Sequence, residues 1–479
     1  MFNFQNTYLS LPKIFYHLQL PTAAVLPQTV LINHALFDDM DLPSNDVQHI
    51  ALLLSGNAIP TTWSTYCQAY AGHQFGYFNV LGDGRAILLG EHITSKNQRF
   101  DIQLKGAGAT PYSRRGDGRA TLKSMLREYL ISEAMYHLQI PTSRSLAVIA
   151  TGEKVYRESI EQGAVLTRIM KSHLRVGTFE YARYMGTYEE IKALADYTIN
   201  RLYPDIKNAN NPYQALFICI MEQQISLVTQ WMRVGFIHGV MNTDNTSISG
   251  ETFDYGPCAF MNRYNPQTVY SSIDTHARYA FGNQSNILKW NLTRLAEALI
   301  PLLDKTEKKA LTIAKEMIDL FDEKWNNSYT EMMLSKIGLT PDSTENIEMM
   351  NQLCNLMFKH QMDFTNTFSE LTYQTEKSNS IFNHPESQLW LKKWEQLTHN
   401  AEGLNQASKR VMEAHNPVII PRNHLVEIAL NQATDGDLTL FHSLCTQLKT
   451  PYTRSGKTEN FLQAPNDDFE TNYQTFCGT

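Results

Sequence analysis

An ordered series of short motifs in the first third of the chain constrains the fold more than any other feature. A glycine turn, GDGR at 82–85, precedes a β-type run over 86–90, and a second such run over 101–105 ends in a lysine. Apolar residues then recur every three or four positions from Leu122, which predicts an amphipathic helix ending near residue 141. We therefore expect this segment to form a small sheet with one long helix.

The order of these motifs favours phosphate binding. Close glycines let backbone N–H groups approach a phosphate, and a nearby lysine offsets its charge. Protein kinases use the same order of glycine turn, lysine strand and helix carboxylate to hold ATP. Lys105 is therefore a candidate phosphate ligand, with Gly82, Gly84 and Arg85 in the turn. Taken singly, the glycine pair is typical of a plain hairpin and the lysine of a solvated strand edge.

The predicted helix offers two carboxylates that could pair with Lys105. Glu133 lies within the apolar stripe of the helix, whereas Glu128 lies toward its flank. Periodicity does not decide which glutamate forms the pair, and at least one of them is expected to be a surface charge.

The loop at 235–256 carries the most specific chemistry. It follows a buried helix and contains His238, then Asp244-Asn245, then Asp254 in the sequence FDYG. This is the order of a kinase catalytic loop and metal loop, in which Asp244 suits the acceptor hydroxyl and Asn245 and Asp254 suit Mg²⁺. Kinases separate the catalytic Asp and the metal-binding Asn by four residues, so an Asx-rich turn is the competing interpretation of the adjacent pair. His238 is expected to organise the loop.

Two arginine-rich segments are further candidates for anion binding. The loop at 106–119 combines three arginines with Asp117 and Gly118, and Arg168 and Arg175 flank a basic run farther along. Arginine forks match phosphate oxygens in bidentate geometry. An exposed basic loop and structural ion pairs are the competing interpretations.

Several segments together closely resemble the selenoprotein O family, also called YdiU proteins. They are YAGHQFGYFNVLGDGRAILLGE, DIQLKGAGATPYSRRGDGRATLKSMLREYLISEAM, SHLRVGTFEY, HGVMNTDN and FDYGP. The resemblance runs from Gly72 to Gly282, and NPVIIPRNHL near the end of the chain also matches.

This resemblance implies a protein-kinase-like fold and transfer of AMP from ATP to protein hydroxyls, with UMP from UTP as a second reaction. It implies Mg²⁺ or Mn²⁺, and a nucleotide inverted relative to kinases, with its α-phosphate toward the acceptor. It assigns the proton acceptor to Asp244 and the metal ligands to Asn245 and Asp254. It favours Glu128 as the partner of Lys105. The nucleotide contacts that it implies are Gly82, Gly84, Arg85, Lys105, Asp117, Gly118, Arg168, Arg175 and Asp254.

We therefore expect an α+β, protein-kinase-like two-lobed fold with an N-terminal extension and a mainly helical C-terminal region. The predicted divisions are an irregular extension at 1–60, a nucleotide-binding N-lobe at 61–175, a C-lobe with the catalytic and metal loops at 176–330, and a helical region with a Cys-containing tail at 331–479. Two other functions stay open: a kinase that transfers the γ-phosphate, and a nucleotide-binding scaffold without catalysis.

Composition narrows the expected partners. The chain has 41 Lys and Arg against 48 Asp and Glu, and a net charge of -7 disfavours nucleic-acid binding. The apolar run at 215–221 is too short to span a membrane, and the first residues lack a signal or transit pattern. Six cysteines without metal-type spacing are typical of the reducing cytoplasm. A cytoplasmic protein without nucleic-acid or membrane partners is therefore expected. We expect a monomer, and the resemblance implies that its partners are proteins with acceptor hydroxyls.

The sequence also predicts an amphipathic helix pair over 295–325. The polar tail after Pro451 is predicted to be a coil, and it ends in an accessible thiol, Cys477. Many bacterial relatives carry a cysteine at the place that Tyr270 occupies here. The resemblance therefore does not support an internal disulfide to Cys477 in this chain.

Overall fold

A computed structural model describes residues 2–374 and 384–476 of the protein. The first part is built from strands β1 Tyr16–Leu18, β2 Gln28–Ile32, β3 Tyr66–Gln68, β4 Ala71–Gln74, β5 Tyr77–Val80, β6 Ala86–Ile93, β7 Arg99–Lys105, β8 Ala120–Thr121, β9 Arg144–Tyr156 and β10 Ile160–Met170. One antiparallel sheet has the spatial order β1-β3-β6-β7-β10-β9-β2, with β8 paired to β10. Strands β4 and β5 form a separate hairpin.

Side-chain alternation along β7 sorts the sheet into two faces. Leu104 packs with the apolar residues of α1 (His34–Asp39) and α2 (Val47–Leu54). Lys105 is next in the chain and therefore points to the opposite face. Helix α3 (Leu122–His137) packs on that face. The alternation thus brings the lysine to the helix with the two candidate glutamates.

The N-terminal residues are more regular than the sequence predicted. The interpretation of 1–60 as an irregular extension is wrong for β1 and β2, because β1 pairs with β3 at one edge of the sheet and β2 pairs with β9 at the other. These strands have three and five residues, which is too short for periodicity to reveal them. The predicted division at residue 60 stays a prediction.

The rest of the described chain is mainly helical. Its helices are α4 Val176–Met185, α5 Tyr188–Leu202, α6 Pro212–Val234, α7 Gln284–Leu303, α8 Glu307–Asp319, α9 Phe321–Lys336, α10 Thr344–Lys359, α11 Phe364–Tyr373, α12 Pro385–Thr398, α13 Gln406–His415, α14 Asn423–Thr434, α15 Thr439–Leu448 and α16 Asp467–Asn472. Short two-stranded pairs join β11 Phe236–Ile237 to β12 Ala259–Phe260, and β13 His399–Asn400 to β14 Gly403–Leu404. Within the described ranges, none of the helices is long and apolar enough to cross a membrane.

Two predictions for this part need correction. The sequence predicted a helix pair over 295–325, but the structure places α7, α8 and α9 there, because the chain breaks at Asp304 and again near Leu320. The tail after Pro451 was expected to be coil, but it contains the 3₁₀ turn Gly456–Phe461 and helix α16. Cys477 lies outside the described residues.

Helix α6 delivers the loop predicted to carry the chemistry. The Asn211 side chain accepts a hydrogen bond from the Gln214 N–H at 3.1 Å, and Pro212 fills the first turn. Gly235 ends the helix with a φ of 72°, a left-handed conformation that glycine adopts without strain. The chain then turns into β11 and the loop beyond it.

A single hydrophobic cluster joins the sheet to the helices. It includes Leu126 of α3, Phe217 of α6, Leu292 of α7, Leu430 of α14 and Phe441 of α15. An antiparallel sheet crossed by α3 thus precedes a mainly helical part, which confirms the predicted α+β class and the order of sheet, helix and helical part expected for a kinase-like fold. The loop at 235–256 lies where the two parts meet.

Candidate active site

Lys105 lies at the centre of a buried ion-pair cluster. Its Nζ donates to Glu128 Oε2 at 2.7 Å and also contacts the Asp254 carboxylate. Strand β7 ends at this lysine, α3 supplies the glutamate, and the loop after α6 supplies the aspartate. Three segments far apart in sequence therefore meet at one ammonium group.

The structure pairs Lys105 with Glu128. Glu133 is engaged elsewhere: its Oε1 accepts from Arg144 Nε at 2.9 Å, and its Oε2 accepts from Asn33 Nδ2 at 2.8 Å. Helix α3 is buried on nearly all sides between the sheet and helices α14 and α15. The apolar stripe therefore could not indicate which side of α3 faces the lysine.

Arg168 is the second cation on Glu128. It lies on β10 opposite Gln103 of β7, and its Nε donates to Glu128 Oε1 at 2.8 Å. Burial by itself raises the pKa of Glu128, but Arg168 and Lys105 outweigh it and hold the pKa below its usual value. Glu128 is therefore a buried anion neutralised by two cations.

Asp254 is the more accessible carboxylate of the cluster. Its side chain is 35% exposed, and its φ of 65° turns the chain sharply after Phe253. Burial raises its pKa, but Lys105, then Arg168 and Arg85, lower it far more, so the pKa lies well below its usual value. An anionic, partly open carboxylate is a suitable ligand for a cation.

His238 organises this loop. One ring nitrogen, Nε2, donates to the carbonyl oxygen of Phe253 at 3.1 Å, directly before Asp254. Burial lowers the pKa of His238, which keeps the ring neutral. The contact matches the role expected from the sequence.

Asp244 lies in a 3₁₀ turn, Thr243–Asn245, and is 7% exposed. Its Oδ2 accepts from Gln74 Nε2 at 3.3 Å, whereas its buried Oδ1 has no hydrogen-bond partner among the described residues. Burial raises the pKa of Asp244 to about 6, although Arg175 opposes the shift. A carboxylate with this pKa can hold a proton near neutral pH.

The structure also tests whether Asn245 and Asp254 fit a metal ion. Asn245 Nδ2 donates to the Val240 carbonyl at 3.1 Å, which leaves its amide oxygen for a ligand. The described residues contain no group of three or more His, Cys, Asp or Glu side chains that could hold a metal. Two oxygen donors fit Mg²⁺ or Mn²⁺ when phosphates and water complete the coordination.

One cavity of about 640 Å³ collects several of the predicted residues. Those that line it are Arg85, Lys105, Glu128, Asn245 and Asp254. Gly82, Gly84, Asp117, Gly118, Arg168, Arg175 and Asp244, all within the described residues, do not line it. Arg168 lies behind the cavity wall, where it contacts Glu128 and, at 3.5 Å, Asp254 Oδ1.

The glycine turn is shaped by a close aromatic contact. Gly82 has a φ of 149°, and a Cβ there would come 2.3 Å from the ring of Tyr112. Only glycine therefore fits between this ring and the turn. No sequence pattern pointed to Tyr112, which lies 30 positions farther along the chain.

Asp117 and Gly118 shape a neighbouring loop. Asp117 accepts from both terminal nitrogens of Arg157, at 2.9 and 3.0 Å, and this interaction lowers its pKa. Gly118 has a φ of 68°, and a Cβ there would lie 2.1 Å from the Gly108 backbone. The contacts of Asp117 and Gly118 are therefore those of residues that hold a tightly folded loop together.

Arg175 joins the glycine turn to the Asp244 loop. Its Nη1 donates to the Asp244 carbonyl at 3.1 Å, and its Nη2 lies 3.7 Å from Asp83 Oδ1. The guanidinium also lies 4.0 Å from the centre of the Tyr70 ring. These contacts agree with the competing interpretation from the sequence, in which the arginine forms structural ion pairs.

Arg127 is a residue that the sequence reasoning missed. Its Nη2 donates to the Cys258 carbonyl at 2.7 Å, and its Nε donates to the Gly256 carbonyl at 3.3 Å. Its Nη1 also pairs with Glu427 of α14 at 2.9 Å. The one signal in the sequence that could have indicated Arg127 was its position next to Glu128.

Comparisons with known proteins agree with the geometry. A family model described as "Protein adenylyltransferase SelO" matches residues 1–449. The chain belongs to this family. The protein nucleotidyltransferase YdiU of Pelagibacter ubique (strain HTCC1062) is 48% identical over 480 residues, covering 100% of this chain and 99% of the relative. The protein of the same name from Bacillus cereus (strain G9842) is 49% identical over 482 residues, covering 100% and 98%.

A solved structure is also similar. The rhoptry antigen kinase domain of Toxoplasma gondii is 10% identical, and the match covers 61% of this chain and 88% of that chain. The TM-score of 0.24 is too low to carry an argument, so the fold of this SelO family member rests on its own geometry.

Proposed function

We propose that this protein is a nucleotidyltransferase that moves AMP from ATP to a hydroxyl group of a protein side chain and releases pyrophosphate. Membership in the SelO adenylyltransferase family supports nucleotidyl transfer to proteins. The observation that carries the proposal is the buried cluster of Lys105, Glu128 and Asp254, which borders one cavity together with Asn245.

The proposed role of this cluster is to bind and orient the triphosphate. Lys105 and Arg85 supply positive charge at the cavity wall, and Glu128 holds the lysine in place. Asn245 and Asp254 would hold Mg²⁺ or Mn²⁺, which neutralises phosphate charge when bound. The remaining predicted nucleotide contacts stay part of the proposal.

The transfer step assigns the acceptor proton to Asp244. The hydroxyl oxygen attacks the α-phosphorus, the new O–P bond forms, and the bond from the α-phosphorus to the bridging oxygen of pyrophosphate breaks. The Asp244 carboxylate accepts the hydroxyl proton, and its near-neutral pKa suits that role. No oxidant or further reactant is needed.

Labelled nucleotides test the reaction. With Mg²⁺ or Mn²⁺, ATP labelled at the α-phosphate should label protein with a mass gain of one AMP, and ATP labelled at the γ-phosphate should not. Asp244→Ala should abolish the α-label, and Lys105→Ala should reduce it at least about 100-fold because the phosphates are no longer positioned. Parallel reactions with labelled UTP measure the preference between the two nucleotides.

The other outcomes separate the competing functions. Transfer of the γ-label would identify a kinase. Nucleotide binding without transfer of either label, with both metals and several acceptor proteins, would identify a scaffold. Wild-type α-label transfer by Asp244→Ala would contradict the assignment of the proton acceptor.

A further inference from the structure

The β4–β5 hairpin covers the carboxylate of Asp244. The hairpin turns at Phe75 and Gly76, whose φ values are 52° and 88°. On one strand, the Gln74 amide donates to Asp244 Oδ2 at 3.3 Å. Two residues earlier, Gly72 lies against the other oxygen, since a Cβ there would come 2.4 Å from Asp244 Oδ1. Both oxygens of the carboxylate are therefore occupied by the same hairpin.

The two residues that cover the Asp244 carboxylate, Gly72 and Gln74, differ in how easily they can move away from it. Gly72 belongs to the buried base of the hairpin, where the backbone of neighbouring Ala71 packs closely on Gly177 of α4. Gln74 contacts Asp244 through the end of a flexible side chain and is only half-buried. Displacing the Gln74 amide thus requires a side-chain movement, whereas uncovering Oδ1 requires the backbone to move.

The β4–β5 hairpin has exposed side chains but is tied to the rest of the protein through β4 and its turn. Strands β4 and β5 pair with each other and, among the described residues, with no other strand. Tyr77 and Val80 are 78% and 48% exposed. Two backbone N–H groups of the hairpin donate hydrogen bonds to side chains of the loop that carries Asp244. The His73 N–H donates to Thr243 Oγ1 at 2.7 Å, and the Phe75 N–H donates to Asn242 Oδ1 at 3.1 Å. The backbone of β4 is thus held on the loop that carries Asp244, and the movable cover of the carboxylate is the Gln74 side chain.

A proton acceptor must come within hydrogen-bond distance of the hydroxyl that it deprotonates. In the described arrangement Oδ1 of Asp244 is buried against Gly72, and Oδ2 is taken by the Gln74 amide. We propose that the acceptor hydroxyl binds at Asp244 Oδ2 in the place now taken by the Gln74 amide, so that the Gln74 side chain is a latch that gates this carboxylate. This inference rests on the proposed function, because it assigns the acceptor position of that reaction.

Gln74→Ala removes the latch and tests the gate in two independent ways. Asp244 should react roughly threefold or more faster with a water-soluble carbodiimide and glycine ethyl ester, as mapped by mass spectrometry of the peptide that contains it. The initial rate of α-label transfer from ATP to protein should also rise about twofold or more, with unchanged affinity for ATP. Asn79→Ala, on the opposite strand, is the matched control and should change neither value, because the Asn79 side chain donates to the Tyr77 carbonyl within the hairpin.

The outcomes distinguish this inference from the proposed function. Unchanged carbodiimide reactivity of Asp244 in Gln74→Ala would overturn the gate. A fall in transfer with unchanged ATP affinity would also overturn it, because Gln74 would then be a positioning residue that the reaction needs. Absence of label transfer by the wild-type protein would instead contradict the proposed function, while the carbodiimide result would still report whether Gln74 covers Asp244.

Discussion

Glu180 lies directly beneath the loop that carries Asp244. Its carboxyl contacts the His73 ring and accepts a hydrogen bond from the Thr243 hydroxyl. Burial raises the pKa of Glu180 to about 7 and lowers the pKa of His73, so the neutral pair is favoured over the ion pair that the short contact suggests. At the scale of single residues, the loop that carries Asp244 thus rests on a carboxyl group whose pKa is raised to about 7.

This carboxyl should make stability depend on pH. The folded protein keeps Glu180 protonated up to about pH 7, whereas the unfolded chain releases the proton near its ordinary pKa of 4.5. The folded state binds more protons between these values, so this contribution is fully present below 4.5 and is lost as the pH rises through 7. Between about pH 5.5 and about pH 8, the wild type should lose about 2 kcal/mol more unfolding free energy than Glu180→Gln.

Urea unfolding of both proteins across this range measures the difference. The comparison isolates Glu180 because His73 titrates in both proteins. Glu189→Gln, an exposed carboxylate on α5, is the control and should follow the wild type. Parallel pH curves for the wild type and Glu180→Gln would show that Glu180 has an ordinary pKa.

At the scale of elements, Arg127 joins α3 to the loop that carries Asp254. Helix α3 also carries Glu128, so the lysine partner and the proposed metal ligand are held together by one neighbouring side chain. Two of the Arg127 hydrogen bonds go to the backbone carbonyls of Gly256 and Cys258, which would lose this donor if Arg127 were removed. The position of α3 and the shape of the metal loop are therefore coupled.

Arg127→Ala should weaken this coupling. We expect about tenfold slower α-label transfer and a higher Mg²⁺ concentration at half-maximal rate, because Asp254 is no longer held toward Lys105. Arg127→Lys should recover only part of the loss, since a lysine cannot reproduce the fork that reaches two carbonyls and Glu427. The measurement is a metal titration of the transfer rate.

Lys123→Ala is the matched control on the same helix. Lys123 is 38% exposed and pairs with the same Glu427 at 3.3 Å, so its loss should change the rate by less than about twofold. Equal metal dependence in Arg127→Ala and in the wild type would show that Arg127 supports only the fold.

At the scale of the whole molecule, the sheet and the helices share one hydrophobic core. Phe441 of α15 is fully buried, and its ring lies 6.4 Å from the ring of Tyr129 on α3. Residues near the end of the chain thus support the helix that carries Glu128. The two parts are therefore expected to unfold together.

Phe441→Ala tests this dependence. Removing a fully buried ring should cost about 3–5 kcal/mol of unfolding free energy, and Phe441→Leu should cost less because it leaves a smaller cavity. Tryptophan fluorescence mainly reports the helical part, whereas hydrogen exchange of β7 reports the sheet. Both should show one transition in each protein; protection of β7 beyond the fluorescence transition would contradict a shared cooperative core.

The sequence by itself determined the local elements and the order of the chemistry. Alternation along β7, the helical period of α3 and the loop residues around Asp244 and Asp254 are properties of neighbouring residues, so they could be predicted without the fold. The resemblance of these motifs to a known family was likewise a property of the sequence alone.

Only the tertiary structure decided which distant groups meet. It selected Glu128 over Glu133, placed β1 and β2 at the edges of the sheet, and laid Gln74 against Asp244, which is 170 positions away. Periodicity reports which face of an element is buried but not what is buried against it. Contacts across such separations depend on the packing of the whole chain, and no local pattern encodes them.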